Sequence, residues 1–408
     1  MSELHQFFEN YLHKESIFLD KSILSSSHTP TEILYREEQL REVAHILAPA
    51  LRGERPSNLF IYGKTGTGKT ISIQHVLQSM ESIAQKNGIS FRSIYINCKL
   101  KRVADTEYRL IAQLIKEYGH SVPATGLPTD EIYNIFYGLL DEQKQVVLLV
   151  LDEVDQLTKK IGDDILYNLT RINSGLKQSQ IVLIGISNSL VFAEHLDPRV
   201  KSSLSEEEII YPPYNALQIQ EILRKRAELA FTPDALKPGV IEKCAAYAAR
   251  DHGDARRAID LLRIAGEIAA RSNSAQVEVS HLDDAERRAE GDKVISAALG
   301  QPKQFQAVLY AVFLFFPQQQ QVFTGEIYEI YQKICRQIHC NVLTQRRVSD
   351  ILAELDMLGI IRAKIISKGR YGRTREITFS VEESIVIKLK ELLEKSLQVE
   401  HGERAKIH

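Results

Sequence analysis

Long apolar runs, an excess of one charge and any useful cysteine spacing are all missing from this chain, and each absence removes a class of protein. The longest apolar stretches, "VVLLVL" and "AVFLFF", are too short to cross a bilayer. The first residues, "MSELHQFFENYLHKESIFLD", carry early acids and lack the apolar stretch of a secretory leader. A soluble, cytoplasmic protein with no membrane partner is therefore expected. The formal net charge of -2 excludes a chain that is basic throughout, so a polyanion would have to be met by a local patch. Of the four cysteines, Cys98, Cys244, Cys335 and Cys340, no two have the two-residue spacing of zinc or redox motifs. Cys335 and Cys340 flank His339, but five residues turn a helix by about 140°, so these thiols diverge and read as buried and reduced. No internal repeat is present, and Gln318 to Gln321 is too brief for a low-complexity segment.

The 408 residues, 44% hydrophobic and 25% charged, suffice for two or three ordinary globular domains. From Asn58 to Asn188, short β-branched runs ("NLFIYG", "FRSIYINC", "QVVLLVLDE", "IVLIGISN") alternate with helical stretches. This is the pattern of a parallel sheet covered on both faces. After "EEIIYPPY" the strands stop, and three segments of helical period follow, with Pro238 and Gly253 at boundaries. The pattern resets through "GDKVISAALGQPK", and the remainder reads helix, helix, hairpin, helix. The expected division is residues 1–217 for an α/β nucleotide-binding domain, 218–298 for an all-helical lid and 299–408 for a winged helix-turn-helix domain.

"GKTGTGKT" satisfies the pattern G-x-x-x-x-G-K-S/T at Gly63, Lys64, Thr65, Gly66, Thr67, Gly68, Lys69 and Thr70. It follows one strand and opens a helix, so inward-turned N–H groups and the helix dipole would cradle phosphates. With ATP or ADP as the nucleotide, Lys69 is expected to reach the β phosphate and, in ATP, the γ phosphate, and Thr70 to ligate Mg²⁺. The apolar strand "VVLLVLDEVD" ends in Asp152, expected on the Mg²⁺, and Glu153, expected to polarise the attacking water. Asp155 reads as a solvated acid or helix cap. Asn188, ending the strand in "IVLIGISNSL", either positions that water or touches the γ phosphate, or else serves turn chemistry.

One local patch does break the charge balance. In "ISKGRYGRTREITF", Lys368, Arg370, Arg373 and Arg375 fall within eight positions around Tyr371, with Glu376 the only acid. The preceding "LTQRRVSDILAELDMLGI" puts Val348, Ile351, Leu352, Leu355 and Leu358 on one stripe, with Thr344 able to cap the start and Gly359 the end. Two strands follow, with Ile377, Phe379 and Val381 alternating inward. A helix and a basic hairpin form a winged helix: Gln345, Arg346 and Arg347 would approach the major groove, and the hairpin tip the backbone or minor groove. An ordinary solvated hairpin is the competing reading of that charge.

These features together resemble the AAA+ ATPases. Within that family "HGDARRAIDLL" is similar to the sensor-two motif, implying a phosphate-facing role for Arg256, with Arg257 the other choice; "LDPRVKSSLSEEEIIYPPY" is similar to the stretch holding the arginine finger, implying Arg199. The resemblance narrows to the archaeal replication initiators related to the eukaryotic origin recognition complex and its loading factor. It runs over almost the whole chain and is carried by "YREEQLREVAHILAPALRGERPSNLFIYGKTGTGKT", "YINCKLKRVADTEYRLIAQLI", "GHSVPATGLPTDEIYNIF" and "YPPYNALQIQEILRKRAE". It implies nucleotide contacts at Tyr214 and Arg226, and a DNA-touching insertion around Ser121 to Pro128. It also implies a slow ATPase acting as a switch, with double-stranded origin DNA, the replicative minichromosome-maintenance helicase and other initiator copies as partners. A transcription regulator built from the same modules is the alternative, and a remodelling motor whose winged domain binds protein is a second.

Overall fold

The computed structural model describes residues 3–12, 16–25, 28–100, 104–123, 126–204, 206–315, 321–367 and 373–399. They form two compact units, Met1–Leu282 and Asp283–His408.

The first unit is built on five parallel strands: β1 (Asn58–Tyr62), β2 (Phe91–Asn97), β3 (Val146–Asp152), β4 (Gln180–Ser187) and β5 (Glu206–Ile210), in the order β2-β3-β4-β1-β5. Every residue of β3 is buried, which explains why its sequence shows no alternation. The alternation is real nonetheless: Leu149 and Leu151 enter the core on one face of the sheet, Leu148 and Val150 that on the other. β5 is an edge strand in which Glu207 and Glu208 are exposed and only Ile209 is buried, a composition that discourages edge-to-edge pairing. Helices Ala216–Ala230, Val240–Arg250 and Ala255–Arg271 make the lid. The first is started by a capping box between Asn215 and Gln218, and the third is capped by the Asp254 side chain. The N-terminal segment is strapped to this lid, with Leu19 N–H donating to the Ala230 carbonyl (2.9 Å), Thr232 N–H to that of Ile17 (3.0 Å), and Phe18 stacked on Phe231.

The boundary between the units falls inside helix Val279–Leu299. Gly291, where the expected reset through "GDKVISAALGQPK" begins, is not itself a break: the helix runs on to Leu299, and the next opens at Lys303, within that stretch. A Cβ on Gly291 would lie 3.0 Å from Ile385 Cδ1, so glycine serves close packing against helix Glu383–Leu397 rather than a break. In the second unit, helices Lys303–Phe313, Thr324–Gln337 and Gln345–Met357 accompany a sheet of β6 (Val322–Phe323, between the first two helices), β7 (Ile361–Ser367) and β8 (Arg373–Phe379), paired antiparallel in the order β6-β8-β7. That is one helix and one strand more than the sequence pattern predicts. Helix Lys303–Phe313 is buried at every position from Phe305 to Phe313, which leaves no amphipathic period to detect, and two residues of strand show no alternation. Val348, Ile351, Leu352 and Leu355 form the expected buried stripe, whereas Leu358 is 41% exposed because the helix has ended before it, with Gly359 in the left-handed region (φ 71°). Thr344 caps the start through Arg347 N–H. Cys98, Cys244 and Cys335 are buried, Cys340 is half-buried, and all four are free thiols.

Candidate functional site

At the carboxyl end of β1 the chain turns through Gly63–Thr70 into helix Lys69–Asn87. Gly66 and Gly68 hold φ of 74° and 93°, a region in which side chains are strained. A Cβ on Gly66 would in addition collide with the Asp254 carboxylate, so the loop and the lid meet at this glycine. The Lys69 ammonium is buried and donates to the carbonyls of Gly63 (2.7 Å) and Lys64 (2.8 Å) and to Asn188 Oδ1 (2.9 Å). Burial pushes this lysine down to about 8, and the nearby Arg256 charge acts in the same direction. Thr70 Oγ1 donates to Asp152 Oδ2 at 2.9 Å, and Glu153 N–H donates to Asp152 Oδ1 at 2.8 Å. Glu153 adopts a left-handed conformation (φ 56°), unusual for a residue with a side chain and costing about 1–3 kcal/mol, which the surrounding contacts must offset.

Asp155 corrects its sequence reading. It is 5% exposed rather than solvated, and Oδ1 accepts from Ser187 Oγ and Asn188 N–H, both at 3.4 Å. It braces the end of β4, and so the position of Asn188.

A cavity of about 440 Å³ opens beside the loop. Thr65, Gly66, Thr67, Gly68, Lys69 and Thr70 line it with Asp152, Glu153, Asn188, Tyr214, Arg226 and Arg256. Gly63 and Lys64 stand outside that lining and contribute through the backbone carbonyls that Lys69 binds. Ile33, Ile222, Leu229 and Ile259 also line the cavity, so apolar side chains suited to a base accompany the polar groups suited to phosphates. The structure separates the two lid arginines: Arg257 pairs with Asp251, while Arg256 is exposed to the cavity. Arg226 lines the cavity and donates to the carbonyls of Ile23 (2.7 Å) and His28 (3.3 Å), holding the N-terminal wall in place. Arg199 is not in the lining; it is exposed and makes a two-pronged pair with Asp197, both contacts at 3.1 Å.

Sequence reasoning missed Arg36. This guanidinium is 2% exposed, donates to the carbonyls of Thr67 (2.8 Å), Tyr35 (2.9 Å) and Pro212 (2.5 Å), and stacks 3.9 Å from the Tyr214 ring centroid. It ties the phosphate loop to the hinge of the lid. No local motif signals it, because its partners in the loop and at the hinge, Thr67 and Pro212, lie 31 and 176 residues away. Tyr95 was missed too: its hydroxyl donates to Asp152 Oδ2 at 2.5 Å.

In the second unit Gln345, Arg346 and Arg347 occupy the exposed first turn of helix Gln345–Met357. Arg347 is turned back along the helix, ion-paired to Glu354 at 3.3 Å and 6.0 Å from the Phe305 ring centroid, so Gln345 and Arg346 are the better placed to meet a ligand. Arg375 Nε donates to Ser349 Oγ at 3.1 Å and links the hairpin to this helix. Lys368, Arg370 and Tyr371 lie outside the described residues, and Arg373 is described only as the first residue of β8.

Known families match each part of this architecture. Residues 52–191 match an AAA domain, 220–287 the Cdc6 AAA+ ATPase-type lid domain and 297–389 the CDC6 C-terminal winged helix domain. An ORC1-type DNA replication protein of Thermococcus onnurineus is 49% identical over 383 residues, covering 93% of this chain and 92% of that protein. The chain belongs to the family of ORC1-type DNA replication proteins. The family assignment also holds against ORC1-type DNA replication protein 1 of Methanosarcina mazei, 48% identical over 92% of this chain and 90% of that one. Among solved structures, the Aeropyrum pernix ORC1 protein in complex with DNA is 42% identical with a TM-score of 0.78, covering 93% of this chain and 98% of its own. The Aeropyrum pernix ORC2 protein, described in ADPNP-ADP complexes, is 19% identical with a TM-score of 0.58 over 93% of this chain and 100% of its own, a likeness of fold. This ORC1-type chain therefore carries an AAA+ ATPase domain, a Cdc6-type lid and a winged helix. Among the described residues, no helix is long and apolar enough to cross a membrane.

Proposed function

We propose that this chain is an ATP-regulated replication initiator that binds duplex DNA at origins, in company with other initiator copies, and helps to recruit the replicative minichromosome-maintenance helicase. The observation that carries the ATP-switch reading is the convergence of Lys69 from the loop and Arg256 from the lid on one cavity. A nucleotide gripped from both sides favours one setting of the lid, and an equilibrium moves only by such differential contact.

The donor set fits Mg²⁺: the Thr70 hydroxyl and the Asp152 carboxylate stand 2.9 Å apart, hard oxygens suited to that ion. Among the described residues no group of three His, Cys, Asp or Glu side chains could hold a metal alone, so nucleotide oxygens would complete the site. When bound there, Mg²⁺ would neutralise charge on the β and γ phosphates. Lys69 and Arg256 hold the same phosphate oxygens, Asn188 orients the attacking water, and Glu153 accepts its proton. The ion pair of Glu153 with Lys99 at 3.7 Å partly engages that carboxylate, which suits slow turnover. Arg199, outside this cavity, serves the nucleotide of a neighbouring copy, where a guanidinium spreads over phosphate charge.

On the second unit, Gln345 and Arg346 read base edges from the first turn of their helix, with Arg347 beside them on the backbone, while Lys368, Arg370, Tyr371 and Arg373 grip phosphate and sugar. The 42% identical relative described in complex with DNA supports duplex binding by this chain. Footprinting across genomic fragments with ATP and with ADP tests the whole reading. Protection at origins that changes with the nucleotide is expected; protection confined to promoters would favour the transcription-regulator alternative, and none on any duplex would overturn DNA binding.

A further inference from the structure

Asp152 accepts three hydrogen bonds. Thr70 Oγ1 and the Tyr95 hydroxyl both donate to Oδ2, at 2.9 and 2.5 Å, and Glu153 N–H donates to Oδ1 at 2.8 Å. Two of these belong to the phosphate-site motifs; Tyr95 belongs to neither. It sits on β2 between the buried Ile94 and Ile96, its side chain on the opposite face and 36% exposed, lining the cavity. In the parallel register Asn97 is the partner of Asp152 and Tyr95 the partner of Val150. The phenol thus reaches two residues along the strand, about 6.6 Å, to find the carboxylate.

We propose that Tyr95 is a positioning residue whose hydroxyl fixes the rotation of the Asp152 carboxylate, so that Asp152 and Thr70 hold Mg²⁺ together. The assignment rests on the nucleotide reading of the cavity. Its physical basis is that a carboxylate at a strand end rotates easily about its terminal bond, and a second donor on one oxygen removes that freedom before the ion arrives. Thr70 cannot do this alone, because its hydroxyl is itself called to the metal. The neighbouring Asn97 makes no equivalent contact: its Oδ1 accepts from Lys99 N–H at 3.0 Å.

The test uses the full chain and a fluorescent ADP analogue, with retention measured against Mg²⁺ concentration and again in EDTA. In Tyr95→Phe the Mg²⁺ half-saturation point should rise about tenfold, the lower end of the usual cost of removing such a supporting partner, while affinity in EDTA stays at the wild-type value. Tyr95→Leu, which removes the ring as well, should show the same Mg²⁺ shift. A half-saturation point unchanged in Tyr95→Phe would overturn the proposal. So would a loss equal with and without Mg²⁺, which marks packing alone. Should the wild-type chain retain no nucleotide under any condition, the reading of the cavity itself fails, a result distinct from either of these.

Discussion

The polar side chains around the phosphate loop are mostly buried or half-buried and already hydrogen-bonded, whereas those of the winged-helix face stand in solvent. In the first unit Lys69, Asn188 and Asp155 form one bonded group and Thr70, Tyr95 and Asp152 a second, and Arg36 locks the loop from behind. Gln345 and Arg346 stand exposed on a helix whose other face is the core of the second unit. A small anion cannot itself exclude water, so its site must be assembled before it arrives, with the ordering cost met on folding. A DNA duplex brings a dense row of charges, so exposed and loosely held cations suffice, and released counterions supply much of the free energy.

The sharpest way to break this contrast is Lys69→Ala. Losing charge-assisted bonds worth about 3 kcal/mol should weaken nucleotide binding roughly a hundredfold by calorimetry, with duplex binding at low salt preserved. Equal loss of both would mean that the two surfaces are not separable. Next in size, replacing Gln345 or Arg346 by alanine should relax sequence preference by about 1–3 kcal/mol in competition binding, with nucleotide affinity untouched. A smaller and more uniform effect is expected at the hairpin: Arg370→Ala and Arg373→Ala should each flatten the log–log salt dependence by about 0.9. An unchanged slope with both removed would return the hairpin to an ordinary solvated turn.

The smallest effect is in pH. With Lys69 lowered to about 8, the folded chain holds fewer protons than the unfolded one from there up to the ordinary lysine range. The penalty for burying this charge is therefore present below that point and is relieved as pH rises through it. Phosphates should draw the proton back, so nucleotide binding above pH 8 should take up a proton and weaken with rising pH. Calorimetry in two buffers of different ionisation enthalpy measures this uptake, which Lys69→Met should abolish.

Legibility followed the range of the interactions. The strand, loop and helix around Lys69 are encoded within a dozen consecutive residues, and so is the acid pair after β3. Thr344 as a cap and Gly359 as a stop were equally readable, because each acts within its own turn. Asp155 was misjudged because its burial depends on Ser187 and Asn188, which arrive on another strand. The packing role of Gly291 was not legible, because its reason, the side chain of Ile385, lies 94 residues further on. The choice between Arg256 and Arg257 needed Asp251 to engage one of them.

Residue order alone settled the class of fold, the phosphate loop and the basic hairpin, since periodicity, glycine placement and local charge are properties of neighbouring residues. Folding in three dimensions decided which polar groups are buried, which arginine faces the cavity, and that Arg36 and Tyr95 belong to the site at all. Those outcomes depend on groups that share no segment of chain and meet only when the sheet and lid are packed, where an unpaired polar atom is costly enough to dictate its partner.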